Sequence, residues 1–471
     1  MDSIKILLLE LVLAIAVVVF IFLAEVLRRR SVIHPVFARK ILHVGAISAS
    51  AISVFYFDVS LLLVIIGAAI PFLALAVWKG FFIEAETGRR SFGIIYFAIA
   101  FFILVYFFGD EKPYLVYYPL AILAWGDGLA TIVGFSVGKN IYSFSSEKKT
   151  VEGSLAFFMA TLLILAFSSV LIPELHGYPV SLLEAVFISL FLTLLEAVSV
   201  KGLDNIWVPS ASVYWLMIEF EISSLLWLGA LAPFAYLTFK RKWLTGDGAL
   251  GSFLMGWILL IGPEPRYFIF PLVFFLIGSL LSKLPGSKIK NDPRDLMQVF
   301  ANGGIPVIFL MLYLIIGSPA FLFGFVSGFA FALSDTTSSE IGIRYGKRHI
   351  YIFSNTKVEI GESGAVTLQG TLAGLIASFG LASISLMPFI GMEVQHFILI
   401  GSIGFLGNVT DSLIGKHAQV KYLQSNGNFS DSKIPERITK HIGFSRVNND
   451  ITNLITSAIS TFLGWGLFFL L

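Results

Sequence analysis

Asp127 stands between Gly126 and Gly128 inside a long apolar run, and the next loop reads Lys148-Lys149-Thr150-Val151-Glu152-Gly153-Ser154. A charged side chain at the centre of a membrane helix costs about 2.5–3.5 kcal/mol. Asp127 is therefore expected to face protein or a wet cavity instead of lipid. The loop beside it supplies cations, hydroxyls and flexible backbone, which a phosphate chain needs. Two familiar phosphate motifs do not fit. A P-loop requires four residues between its glycines and Ser or Thr after the lysine; here Gly134 and Gly138 enclose Phe-Ser-Val, and Asn140 follows Lys139. Gly246-x-Gly248-x-x-Gly251 matches a dinucleotide fingerprint as a bare string, but no strand precedes it. A second group of polar islands lies further along: Asp247 after Thr245-Gly246, Gln298 and Asn302 in Gln-Val-Phe-Ala-Asn-Gly-Gly, Asp335 and Glu340 in Ser-Asp-Thr-Thr-Ser-Ser-Glu-Ile-Gly, and Asp411. Asp335, Glu340 and Asp411 all fall at the ends of apolar runs.

The elements that hold these residues are membrane helices. The chain has 471 residues, 57% hydrophobic and 13% charged, with a mean hydropathy of +0.87. Soluble proteins carry about 25% charged residues. Recurrent apolar runs, from 4–27 to 451–471 and including a short piece at 210–220, predict an all-α polytopic membrane protein with about 15–16 transmembrane helices in two bundles. With the N-terminus outside and every run crossing, all of the 32 Lys and Arg residues except Lys5, Lys112 and Arg266 fall on the inner side. The positive-inside rule then places the motif loops in the cytoplasm and both termini outside. Arg28-Arg29-Arg30 follows the first apolar run, unlike the layout of a cleavable signal peptide. The formal net charge of +2 gives no reason to expect nucleic acid. The absence of Cys excludes disulfides and thiolate metal sites. A domain boundary is expected after residue 220. No internal repeat is evident: the Gly-Asp-Gly triplets at 126–128 and 246–248 differ in their flanks.

The block Asp127, Gly134, Gly138, Lys149, Thr150, Glu152, Gly153 and Ser154 resembles the dolichol kinase and phytol kinase family. Arg39-Lys40-Ile41-Leu42-His43 is similar to that family's upstream motif, and Glu196 with Gly202-Leu203-Asp204-Asn205 to its downstream one. The resemblance spans residues 1–220. It implies a CTP-dependent kinase for the hydroxyl of a long-chain isoprenoid alcohol. Phosphoryl transfer depends on positioning and charge neutralisation. Lys148, Lys149, Thr150, Gly153, Ser154 and Asn205 are then candidate phosphate contacts. Asp127, Glu152 and Asp204 are candidate Mg2+ ligands, and Asp127 or Asp204 is a candidate base for the alcohol. Arg39, Lys40, His43 and Glu196 are further candidates; Arg39, Lys40 and His43 serve equally well as interface cations.

Residues 221–471 resemble the integral-membrane family that contains the phytyl-phosphate kinases, most specifically in the Gln298–Gly304 and Ser334–Gly342 strings. This implies a second kinase, converting a prenyl monophosphate to the diphosphate. Asp335 is its candidate catalytic residue; Asp335, Glu340 and Asp411 are candidate metal ligands. Asn302, Lys347, Arg348, Arg437 and Lys440 are candidate phosphate contacts, with Asp247 and Gln298 as further candidates. A phosphate monoester is largely ionised at pH 7, so this step needs cations more than a base. Two other classes remain: a lipid cytidylyltransferase with a similar nucleotide site, and a transporter with intramembrane carboxylates.

Overall fold

The computed structural model describes residues 34–79, 92–144, 147–219, 225–285, 292–354, 356–423, 429–430 and 441–471. The apolar run 4–27, Arg28–Arg30, Arg437 and Lys440 lie outside the described residues. Nine helices among the described residues are long and apolar enough to cross a membrane, and Gly93–Phe108 and Gly246–Ile261 are shorter apolar helices. Among the described residues the strands are two or three residues each and occur only in hairpins and one small sheet. The fold is thus an all-α polytopic membrane protein. It divides into two compact units, Met1–Met217 and Ile218–Leu471.

In the first unit, α1 (Pro35–Ser53), α2 (Val59–Trp78) and α3 (Gly93–Phe108) precede a longer helical path. That path runs through α4 (Tyr114–Ile122), a π-helical turn (Leu123–Asp127) and α5 (Gly128–Val137). Such π turns frequently mark functional sites, and this one ends on Asp127. A short antiparallel hairpin follows, β1 (Ile141–Tyr142) with β2 (Lys149–Thr150), in the register Ile141 to Thr150 and Tyr142 to Lys149. Then come α6 (Val151–Leu171), α7 (Leu182–Val198) and α8 (Asp204–Met217). Residues 210–217 of the short run therefore belong to a helix that begins earlier, which puts Asp204 and Asn205 in its first turn. Side-chain caps mark the starts: Thr150 accepts from Gly153 N, and Ser181 and Glu184 form a reciprocal capping box.

In the second unit, α9 (Leu226–Lys240), α10 (Gly246–Ile261), α11 (Ile269–Ser282) and α12 (Leu296–Ile316) lead to α13 (Pro319–Tyr345). The 27 residues of α13 form the centre, packed by α11, α12 and the three later helices. Its buried face is aromatic: Phe323, Phe325, Phe329 and Phe331 meet Phe270 and Phe274 of α11. A hairpin follows, β3 (Ile350–Tyr351) with β4 (Ala365–Val366), then α14 (Leu368–Ala382) and α15 (Val394–His417). A three-stranded sheet, β5 (Lys421–Leu423), β6 (Phe429–Ser430) and β7 (His441–Ile442), leads to α16 (Asn449–Leu467). Gly246 opens α10 behind a Thr245 cap, with no strand before it, so the bare dinucleotide string is only a helix start.

Each unit contains the same order of parts: a long helix, a hairpin, a Thr-capped helix and two more helices. The residues at the helix–hairpin junction correspond. Asp127, Gly134 and Gly138 match Asp335, Gly342 and Gly346 at identical spacing, and Thr150 and Gly153 match Thr367 and Gly370. Ile141-Tyr142-Ser143-Phe144 likewise matches Ile350-Tyr351-Ile352-Phe353. The expectation of no internal repeat is therefore corrected. The repeat runs through Asp335, not through the Gly-Asp-Gly triplet at 246–248.

Candidate functional site

In both units a glycine cradle joins the long helix to the Thr-capped one. Asp, Gly and Gly at i, i+7 and i+11 share one helix face. In the first unit Thr150 Oγ1 accepts from Gly153 N at 3.1 Å, and Gly138 N donates to Gly134 O at 3.2 Å. A Cβ at Gly134 would lie 2.7 Å from Thr150 Oγ1, and one at Gly153 would lie 2.7 Å from the Ala130 carbonyl. The second unit repeats this. Gly370 N donates to Thr367 Oγ1 at 3.0 Å, and Gly346 N donates to Gly342 O at 2.9 Å. A Cβ at Gly342 would lie 3.1 Å from Thr367 Oγ1, and one at Gly370 would lie 2.6 Å from the Ser338 carbonyl. The glycines are thus required by close helix approach, as in other membrane helix pairs.

The charges around the two cradles differ. In the first unit Asp127 Oδ2 takes both Lys40 Nζ at 2.6 Å and His43 Nε2 at 3.0 Å, from α1. Lys149 Nζ lies 2.5 Å from Glu196 Oε1 and also donates to the Glu196 backbone carbonyl. Burial works against the Lys149 ammonium, but Glu196 beside it holds its pKa above the ordinary lysine value. Asp204 lies within electrostatic reach of Asp127, Lys149, Lys40 and His43. Asn205 Nδ2 donates to the Gly202 carbonyl at 3.0 Å and to Asp204 Oδ1 at 3.2 Å. The Ser154 hydroxyl is 2.5 Å from the Tyr142 hydroxyl across the hairpin. Motifs from α1, the π turn, the hairpin, α7 and α8 thus converge on one cluster.

In the second unit the cradle aspartate faces another carboxylate. Asp335 and Asp411 interact electrostatically, and neither has a cationic partner among the described residues. Asp411 Oδ1 accepts from Thr456 Oγ1 at 3.2 Å. Val366 stands where the first unit has Lys149.

Several sequence candidates sit elsewhere. Lys148 is exposed, unlike its neighbour, so the two lysines do not form one phosphate clamp. Glu152 accepts from the Asn140 side-chain amide at 2.8 Å and ties the hairpin to its helix. Glu340 is paired with Arg344 one helical turn on and accepts from Ser282 Oγ at 2.9 Å. Asp247 accepts from the Thr245 hydroxyl and from Leu296 N at 3.3 Å, and Gln298 closes a capping box with Asp295. Asn302 is buried and donates to the Gln298 carbonyl at 2.8 Å. Arg39, Lys347 and Arg348 are exposed. The sequence reading missed Tyr142 and Tyr351, which the Ile-Tyr-x-Phe string after each Gly-Lys could have revealed. It also missed Arg294, a half-buried guanidinium just before α12.

Among the described residues no three His, Asp or Glu side chains converge as a metal cage. Mg2+ commonly takes one or two carboxylates together with phosphate oxygens and water. Two carboxylates are available in each unit: Asp127 and Asp204 in one, Asp335 and Asp411 in the other. The second pair fits better, because like charges there lack a protein cation.

No solved structure matches the chain. It is 36% identical over 193 residues to an uncharacterized membrane protein of Methanocaldococcus jannaschii, covering 40% of this chain and 79% of that one. It is 31% identical over 236 residues to Protein VTE6, chloroplastic, of Arabidopsis thaliana, covering 46% and 63%. It is 30% identical over 212 residues to a Synechocystis protein named Phytol kinase, covering 44% and 87%. Residues 229–461 match the family model described as integral membrane protein DUF92. Residues 229–461 therefore belong to the integral membrane protein family DUF92.

Proposed function

We propose that this chain is an isoprenoid kinase with two sites. The first unit transfers phosphate from CTP to an isoprenoid alcohol such as phytol or geranylgeraniol. The second unit phosphorylates the resulting type of monophosphate to the diphosphate. Relatives named Phytol kinase and VTE6 support an isoprenoid kinase. The observation that carries the two-site reading is the same Asp–Gly–Gly and Thr–Gly cradle in each unit with different charges around it. In the first unit Asp127 is occupied by Lys40 and His43, so Asp204 is the group left to take the alcohol proton. Lys149 holds the phosphates, beside the hydrogen bond between Tyr142 and Ser154. In the second unit the acceptor is already an anion, so no base is needed. A Mg2+ held by Asp335 and Asp411 would supply charge neutralisation in the second unit, and Lys149 supplies it in the first. Both cradles face the cytoplasm in this reading, where nucleotide is available.

The test uses membranes containing the full chain, γ-labelled CTP or ATP, and a panel of prenyl alcohols and monophosphates. Asp204→Asn should abolish monophosphate formation and leave added monophosphate convertible. Asp335→Asn should do the reverse. If both variants lose both activities together, the division of labour is wrong. Release of pyrophosphate with a CDP-lipid product would instead identify a cytidylyltransferase. Uptake of solute by counterflow without nucleotide turnover would identify a transporter.

A further inference from the structure

The second unit holds a cavity of about 90 Å³ between α9, α10, α11 and α12. Most of its wall is apolar, including Phe234, Met255, Leu259 and Phe275. Polar groups are concentrated towards one end, where Arg294, Gln298 and Asn302 line it. Along α12 the lining runs from Arg294 to Val307, which at 1.5 Å rise per residue is about 20 Å. The cavity is therefore elongated and amphiphilic: one guanidinium at the helix start and hydrocarbon walls toward mid-membrane.

Arg294 is built into place. Its backbone N donates to the Trp243 carbonyl at 3.1 Å, and its carbonyl accepts from Thr245 N at 3.0 Å. The guanidinium lies over the Phe274 ring, 5.9 Å from its centroid. Its one hydrogen bond among the described residues reaches Ser282 Oγ at 3.5 Å, and Glu340, the acid within its electrostatic reach, is already paired with Arg344. It also lies close to α13. Gly278 separates them: a Cβ there would be 3.0 Å from Arg294 Nη2 and 3.3 Å from Thr336 Cγ2, the residue after Asp335.

We propose that this cavity binds the prenyl monophosphate acceptor, with the phosphate on Arg294 and the isoprenoid chain along α12. The assignment rests on the two-site kinase reading above. It adds the location of the acceptor and a cause of chain-length preference. Gly303 lies on the wall, where a Cβ would make ordinary 3.5 Å contacts with Met255 and Phe329, so a larger side chain there shortens the hydrocarbon channel.

Binding is measured without nucleotide, so catalysis is not required. Full-length protein in detergent is titrated with labelled geranylgeranyl and geranyl monophosphates, with geranylgeraniol and phosphatidic acid as competitors. Arg294→Gln should weaken monophosphate binding about tenfold or more and leave geranylgeraniol nearly unchanged. Arg294→Lys should recover most of the loss. Gly303→Leu should weaken the longer chain several-fold more than the shorter. Phosphatidic acid should compete poorly; equal competition would mean a general anionic-lipid site and overturn the assignment. It is also overturned if Arg294→Gln leaves monophosphate affinity within twofold, or if Gly303→Leu weakens both chain lengths alike. If these binding results hold and the second unit shows no kinase activity, the cavity assignment stands and the two-site reading fails.

Discussion

Replacing Lys149 separates two roles that the geometry assigns to it at once. Its ammonium is 2.5 Å from Glu196, with side-chain exposures of 17% and 8%. Removing one partner of a buried pair costs about 3–5 kcal/mol. The remaining exposure of Lys149 puts Lys149→Gln at the lower end, about 3 kcal/mol, because Glu196 would be left buried and charged. Lys149→Gln with Glu196→Gln removes that penalty, since two amides can pair. If Lys149 also holds a phosphate, the double variant should regain thermal stability in detergent but not activity. A lost charged contact of about 1.5–3 kcal/mol corresponds to a fall of about 10- to 150-fold in kcat/KM for alcohol phosphorylation. The assay is a CTP titration at fixed alcohol, with unfolding followed on the same preparations. Conversion of added monophosphate should be unchanged, because Val366 occupies the equivalent place in the second unit. If the double variant regains both stability and kcat/KM, Lys149 is only the partner of Glu196 and the phosphate assignment is refuted.

Thr150→Val and Thr367→Val each remove the hydroxyl that caps the helix after its hairpin, at a cost of about 1 kcal/mol. Each should reduce one activity and spare the other, read by separate alcohol and monophosphate assays; loss of both from either variant would contradict independent cradles. The Lys149–Glu196 pair also sets an alkaline limit. Because the folded pKa of Lys149 is raised, its contribution is complete below the ordinary lysine pKa of about 10.4 and is lost as pH rises through the folded value. The unfolding temperature of the wild type should therefore fall more steeply above that pH than that of the double Gln variant.

The class of fold was legible because apolar runs of membrane length leave little choice. The repeat was hidden for a definite reason. In the first unit the hairpin brings Thr150 twelve residues after Gly138; in the second, Thr367 comes twenty-one after Gly346. The longer hairpin breaks any fixed-period comparison, and the Gly-Asp-Gly triplets offer a false alignment. The same limit applies to charge. Asp127 and Lys40 are 87 residues apart, and nothing in either local sequence says that they touch. Conversely, Glu152 and Glu340 looked like ligands by type, but an adjacent amide and an arginine one turn away claim them.

What differs between the cradles matches the difference between the two proposed acceptors. An alcohol brings a proton and no charge. The first unit surrounds its cradle with two lysines and a histidine, Lys40 and His43 contacting Asp127, and leaves Asp204 in reach. A monophosphate brings charge and no proton that must be removed. The second unit has no lysine on its cradle strand but places Arg294 one glycine away from the residue after its aspartate, at the end of an apolar cavity. Its two aspartates repel each other in the absence of a cation, so folding alone gains nothing from keeping both. Such a pair is stabilised when a divalent cation and a phosphate enter together. The second unit should therefore bind monophosphate and metal with positive coupling, and Asp411→Asn should weaken that coupling without removing the apolar part of the acceptor affinity. Isothermal titration of geranylgeranyl monophosphate with and without Mg2+ measures it; identical affinities in the two conditions would rule out a metal between Asp335 and Asp411.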